Sequence, residues 1–342
     1  MTTIKDVALA AGVSVATASN ALNGKKGVRE TTRQKVQVVA ERLRYMPNSM
    51  AKGLVTGSFG AIGIVLSGPA PFNVLTNQSM LQMIQAVAST VTQEGYVVML
   101  NMVDFDAESG LSSSLRSNKT CDGIILVDTR SSDTLIQEFL QSIAVPAVVT
   151  MRTCPNAECP SISVDNHECG YIAAKHLIEH GHRDIAYVGV LEGVRPAELR
   201  LEGCRDALRD NGLELNPAFC LPGDHYQDSG RTAAMQLLHL HGRRPTAVVA
   251  GNDLMALGVI EVLQREGVRV PEDVSIVGCD NIPNAHMLRV PLTSVAIPFE
   301  YMGKLAAENL IARIRNPQVR AGNVLLAPEL RVRESVAVRS SA

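Results

Sequence analysis

From residue 61 onward, short apolar runs alternate with helix-length amphipathic stretches, and this pattern restricts the possible folds more tightly than any other feature of the chain. Runs at 61–66, 96–101, 123–127, 147–150, 185–190, 247–250 and 274–278 read as strands, and ten or more residues of helical character separate most of them. Strand, crossover helix and strand in succession make right-handed units, so the expected fold is α/β with largely parallel sheets covered on both faces. The pattern restarts after about Ser163, and roughly 280 residues are too many for one small sheet. Two doubly wound lobes are therefore expected.

The first 60 residues are built differently. They carry nine Lys and Arg against three acidic residues, about +6 in a chain of net charge −2, which leaves about −8 on the remainder. A basic head on an acidic body suggests that only the head approaches a polyanion. In it, Ile4, Val7, Ala8 and Ala11 recur at helical spacing, Gly12-Val13 makes a turn, and Ser14 is placed to cap a second helix starting near Val15. On that helix Ala18, Ala21 and Leu22 cluster on one side. Ala16 and Asn20 point roughly the opposite way, with Val15 and Ser19 on the flank. One face packs and the other is free to read DNA, while Thr17 and Ser19 suit phosphate contacts. A third helix is expected over 30–43, with Val36, Val39, Ala40 and Leu43 at core spacing, giving a small all-α helix-turn-helix head over 1–46. The Pro-opened, Gly-closed segment that follows, 47–60, reads as a hinge helix and linker.

Several function classes find no support. The chain opens without the basic-then-apolar run of a secretory signal and has no stretch of about 18 apolar residues, so a cytoplasmic protein away from the membrane is expected. The seven cysteines are scattered and never spaced C-x-x-C, which argues against a disulfide framework or zinc ribbon. No phosphate-cradling or nucleophile-elbow motif occurs. His176-Leu177-Ile178-Glu179-His180 has the spacing of one class of zinc protease, but it lies in an amphipathic helix ended by Gly181, where histidines suit the negative helix terminus. No catalytic residue, cofactor or metal is expected.

The helix-turn-helix, the Tyr45-Met46-Pro47-Asn48 signature and Leu54 resemble the LacI/GalR family of bacterial transcription regulators, and the likeness continues to the C-terminus. The resemblance implies a periplasmic-binding-protein-like effector and dimerisation domain over 61–342. Its N-lobe would take 61–162 and 291–322, and its C-lobe 163–290 and 323–340. Base-reading positions fall on Val15, Ala16 and Asn20. The two apolar residues suit a thymine methyl, and Asn20 suits adenine. Backbone contacts fall on Lys5, Ser14, Thr17, Ser19, Asn23 and Arg33. Asn48, Ala51, Lys52 and Leu54 form the hinge, which in the family folds on operator DNA while the leucine wedges into the minor groove.

In the same family, effector contacts correspond to Arg200, Asn252 and Asp280, each in a matching local motif, and Phe72 is placed to stack on a sugar or base. An Arg fork, an amide and a carboxylate together can bracket vicinal hydroxyls. Singly, Asn252 or Asp253 could cap a helix, Asp280 could be a turn residue, and Arg200 a surface ion pair. Many members carry an acidic or amide residue before the Arg at the end of the fourth strand. Met151 precedes Arg152 here, so a polar contact is missing. The implied protein is a homodimeric repressor of double-stranded operator DNA, controlled by a sugar-like effector. A nucleobase corepressor or a phosphorylated protein partner is the alternative, and a solute-binding protein a remote one. The C-terminus carries no leucine heptads, so a dimer and not a tetramer is expected.

Overall fold

The computed structural model describes residues 2–24, 27–45, 58–67, 78–103, 120–127, 133–154, 159–242, 244–287, 289–320 and 322–339. Two compact units form, 1–60 and 61–342.

The first unit holds α1 (Ile4–Ala11), α2 (Val15–Leu22) and α3 (Glu30–Arg42). At its start, the Asp6 carboxylate accepts from both the N–H and the hydroxyl of Thr3 at 2.8 Å. Gly12 ends α1 with φ of 65°, a left-handed conformation that glycine adopts without steric cost. The Ser14 hydroxyl accepts from the Thr17 N–H at 3.1 Å and so caps α2. Val7, Ala8, Ala11, Ala18, Ala21, Val36, Val39 and Ala40 are buried together, and Leu22 and Leu43 pack against them. Small side chains dominate this core, which lets three short helices approach closely.

The second unit contains two six-stranded sheets. One has the order β11-β5-β4-β3-β1-β2, with β1 (Ala61–Ser67), β2 (Val97–Val103), β3 (Gly123–Val127), β4 (Ala147–Thr150), β5 (Ser161–Val164) and β11 (Val324–Leu326), and every pairing in it is parallel. Helices α4 (Gln78–Gln93) and α5 (Asp133–Ser142) link its strands. The other has the order β12-β10-β9-β8-β6-β7. Its strands are β6 (Ile185–Val190), β7 (Cys220–Pro222), β8 (Ala247–Ala250), β9 (Ser275–Asp280), β10 (Thr293–Ala296) and β12 (Glu329–Arg331). Only β10 and β12 pair antiparallel in it. Helices α6 (Asn166–Glu179), α7 (Arg195–Asp210), α8 (Gln227–Leu238) and α9 (Asp253–Arg265) belong to this second lobe. The last helix, α10 (Phe299–Arg315), packs on α4 and on β3, β4 and β5.

The chain therefore passes between sheets three times, at 164–166, 296–299 and 326–329. The second passage falls later than the expected return at 291, because β10 pairs with β9 in the C-lobe sheet. The third falls later than 323, because β11 pairs with β5 in the N-lobe sheet. The first of these differences has a local cause. β10 opens Thr293-Ser294, a polar pair that reads as loop. In the fold both side chains are buried and satisfied: the Ser294 hydroxyl donates to Asp253 Oδ1 at 2.6 Å, and Thr293 Oγ1 accepts from the Arg333 N–H at 2.9 Å.

Candidate functional site

On the head, Val15 is 43% exposed, Ala16 is exposed and Asn20 is half-buried, all on α2. Their positions follow from burial of Ala18 and Ala21, which turns the other side of α2 outward. Among the backbone-contact candidates, Lys5 is exposed on α1. The Ser14 and Thr17 hydroxyls lie 2.8 Å apart, and Asn23 Nδ2 donates to Ser19 Oγ at 3.3 Å. These hydroxyls thus have local partners as well as one end of the exposed helix. Arg33 pairs with Glu30 at 3.5 Å across one turn of α3. Asn48, Ala51, Lys52, Leu54 and Phe72 lie outside the described residues.

In the body, Arg200, Asn252 and Asp280 converge at the carboxyl ends of the second sheet, where open α/β folds bind ligands. Arg200 is 6%, Asn252 2% and Asp280 6% exposed. Arg200 is no surface ion pair. Its Nη1 donates to the Gly251 carbonyl at 2.5 Å and lies 3.9 Å from Asp280 Oδ1. Its Nε donates to Asn166 Oδ1 at 2.9 Å.

The crossing of α6 and α7 sets this geometry. A Cβ at Gly170 would overlap the Arg200 carbonyl oxygen, and one at Gly203 would overlap the His167 carbonyl. Glycine at both positions lets the helices touch backbone to backbone, which seats Arg200 beside the first passage between lobes.

Asn252 caps α9: its Oδ1 accepts from the Met255 N–H at 2.9 Å, and its Nδ2 donates to the His225 carbonyl at 2.9 Å. Capping, one of the two roles the sequence allowed, thus occupies this amide. Asp280 has φ of 121° and Asn281 φ of 55°, so two non-glycine residues in succession occupy strained backbone at the end of β9. Met151 has φ of 73° at the end of β4 and is buried. Backbone outliers at strand ends are a frequent property of ligand sites.

Burial pushes the Asp280 carboxyl well above the usual carboxylate range, and the Arg200 charge pulls it partly back. Beneath it, the fully buried Asp253 accepts from the Ile282 N–H at 2.8 Å as well as from Ser294. Burial raises its carboxyl to about 6 against these two hydrogen bonds. Asp253 therefore pins the loop that carries Asp280 and Asn281. Tyr187 on β6 is also fully buried, and its hydroxyl has no hydrogen-bond partner among the described residues.

Sequence reasoning missed Asn166 and Tyr187 and gave Asp253 only a capping role. Asn166 follows an N-cap Asp, so its own signal was that of an ordinary first-turn residue, and Tyr187 sits in a strand where an aromatic reads as core. Of the histidines of H-x-x-E-H, His180 Nδ1 lies 2.8 Å from the His176 backbone carbonyl, and the two rings are 4.2 Å apart. Among the described residues no group of three or more His, Cys, Asp or Glu is placed to hold a metal, and no helix is long and apolar enough to cross a membrane.

Comparison with known proteins agrees with this two-unit fold. The family described as bacterial regulatory proteins, lacI family, matches residues 3–48, and a periplasmic binding protein-like domain matches 174–336. The HTH-type transcriptional repressor PurR of Erwinia tasmaniensis is 34% identical over 341 residues, covering 98% of this chain and 97% of that protein. Catabolite control protein A of Priestia megaterium is 32% identical, with 97% and 98% covered. Among solved structures, the Lac repressor dimer bound to operator and the anti-inducer ONPF is similar at 28% identity and a TM-score of 0.84, with 98% and 99% covered. A complex of the transcriptional regulator CelR with cellobiose is similar at 30% identity and a TM-score of 0.73, with 98% and 100% covered.

Proposed function

We propose, from the premise that the chain belongs to the lacI family of bacterial regulatory proteins, that it is a homodimeric transcriptional repressor whose affinity for operator DNA is set by a small effector. The observation that carries this reading is the pairing, on one chain, of an outward-facing second helix in a basic three-helix unit with the buried Arg200–Asp280 pair at the strand ends of a two-lobed body. A binding protein without the head would not need the first feature. The protein acts in the cytoplasm, where its DNA target lies, and performs no chemistry on its ligand.

Val15 and Ala16 contact a thymine methyl and Asn20 reads adenine in the major groove, while Lys5, Ser14, Thr17, Ser19, Asn23 and Arg33 hold the backbone. Leu54, with Asn48, Ala51 and Lys52, forms the minor-groove hinge. Arg200 and Asp280 hold the effector, with Asn252 presenting the adjoining backbone and Phe72 stacking. The effector is a sugar or sugar derivative, since a guanidinium fork beside a carboxyl suits vicinal hydroxyls. A nucleobase corepressor is the second reading, favoured by apolar Met151 beside Arg152. Operator and effector sites are coupled by about 1–3 kcal/mol.

Edge strand β2 supports the dimer. Val97, Leu100 and Met102 on it, and Leu81 on α4, are large exposed apolar residues, and β2 is the outermost strand of its sheet among the described residues.

Two assays test the reading. Selection of duplexes from a random library by the full-length protein will enrich a pseudo-palindrome. Thermal shift against cellobiose, ribose, guanine and hypoxanthine then identifies the effector class, because a ligand at 100 times its Kd stabilises by about 2.7 kcal/mol. Failure to enrich any duplex overturns the regulator reading. A shift with the purines and none with the sugars replaces the sugar reading with the corepressor one.

A further inference from the structure

We infer that Asn166 is a positioning residue that ties Arg200 to the first passage between the lobes, so that occupation of the effector site is felt by the segment about which the lobes turn. The inference rests on the reading of Arg200 as an effector contact. Asn166 is the first residue of α6 and is 4% exposed. Its two amide ends face different lobes. Oδ1 accepts from Arg200 Nε at 2.9 Å, on the C-lobe side, while Nδ2 donates to the carbonyl of Val164 at 3.2 Å, the last residue of β5 in the N-lobe sheet.

The neighbouring residue extends the link. The Asp165 N–H donates to the Leu326 carbonyl at 2.9 Å, which joins the first passage to the third, and Asp165 Oδ1 caps α6 through the Glu168 N–H at 3.0 Å. The close α6–α7 crossing at Gly170 and Gly203 makes Arg200 and the start of α6 move as one piece. A single amide therefore spans from the effector-site guanidinium to the end of an N-lobe strand.

An amide has one acceptor end and one donor end, and both are used, so the two bonds depend on a single side-chain orientation. A ligand that draws the guanidinium toward its own oxygens loosens the Oδ1 bond and frees the amide to turn away from Val164. The passage at 164–166 then relaxes, and with it the bond from Asp165 to Leu326. In the unliganded protein the same amide holds the two lobes at one angle.

Amide hydrogen exchange of the full-length protein tests this without knowledge of the ligand. Asn166→Ala will speed exchange at the Asp165 N–H and in peptides over 324–331 by roughly tenfold, the effect of losing one buried hydrogen bond. Peptides over 185–190 and 247–250 will not change. Arg200→Lys, which lacks the Nε donor, will speed the same passage amides although it lies 34 residues further along the chain. Asn166→Asp keeps the acceptor for Arg200 and loses the donor to Val164. It will leave peptides over 196–203 as in the wild type and still speed the passage.

This split separates positioning from a general loss of stability, which would move both sets together. Wild-type exchange at the passage in Arg200→Lys overturns the inference, as does equal acceleration of both regions in Asn166→Asp. Either variant alone decides the matter if another does not fold. Because no DNA or effector is used, these outcomes are independent of whether the duplex selection succeeds.

Discussion

Replacing Arg200 with Met keeps an unbranched apolar stem and removes the guanidinium. Three groups lose their partner: Asn166 Oδ1, the Gly251 carbonyl and the Asp280 carboxyl. Each of the two acceptors left bare in the interior costs about 1–3 kcal/mol. The Asp280 ion pair adds less than its burial suggests, because its separation is 3.9 Å and burial works against the charged carboxylate. The sum is about 3–5 kcal/mol, the usual result of breaking a buried pair from one side.

For a body of this size 1 kcal/mol moves Tm by roughly 2–4 °C, so the unliganded variant will melt about 6–20 °C below the wild type in calorimetry. The deficit will also depend on pH. Asp280 has a folded-state pKa above its unfolded value, so it binds more protons when folded, and its contribution to stability falls as pH rises through that window. Removing the Arg200 charge raises the folded value further, so the gap between variant and wild type will be wider at pH 8 than at pH 5. A loss under about 1 kcal/mol, or a gap that narrows with pH, refutes the argument that Arg200 organises the site before any ligand arrives. The same result matters for mapping the effector: loss of ligand binding in an Arg200 variant identifies a contact only after its unliganded melting has been measured.

Asp253→Asn removes a carboxyl held at about 6, and since that group too binds its proton more tightly when folded, the wild type will lose about 2 kcal/mol between pH 4 and 7 that the variant does not; urea titrations in which both proteins lose the same unfolding free energy between the two pH values refute this. Tyr187→Phe deletes a buried hydroxyl that has no partner among the described residues, so the unliganded protein will melt at the same temperature or a few degrees higher, and a clear drop would reveal a bond made through water. Asn20→Ala will relax sequence preference in operator binding, whereas Lys5→Ala will weaken binding to all duplexes alike and lower the salt slope by about one; a uniform loss for Asn20→Ala contradicts its assignment as a base reader. Leu100→Asp on the β2 edge will shift the sedimentation mass from dimer toward monomer, and an unchanged dimer moves the interface elsewhere.

Much of the fold was legible because its signals are local and strong. β3, β4, β6 and β8 match their apolar runs residue for residue, and β1, β2 and β9 differ only at their ends. The five strands that were not foreseen have two physical reasons between them. β5 reads Ser161-Ile162-Ser163-Val164 and is wholly buried, so two hydroxyls disguise a core strand, and β7, β11 and β12 are three residues long. Polar residues inside a sheet become readable only when their partners are known. Ser161 Oγ, for instance, donates to Asn323 Oδ1, 162 residues away.

The candidate site divides in the same way. Arg200, Asn252 and Asp280 could be nominated because an Arg, an amide and a carboxylate stood in recognisable strings. Asn166 could not, since its role depends on two partners, Val164 and Arg200, and only the second lies far off in sequence. What a one-dimensional reading loses is the economy with which this cleft uses its polar groups. The Arg that was nominated for the ligand closes three internal contacts, and the amide nominated beside it caps a helix. A ligand entering such a site does not fill an idle cavity. On the proposed function it competes with bonds that fix Arg200 inside the C-lobe, and such competition is what allows a small molecule to change a protein's shape at all, since only differential interaction with the two states can shift their balance. A cleft lined with unengaged polar groups could bind as tightly and signal nothing.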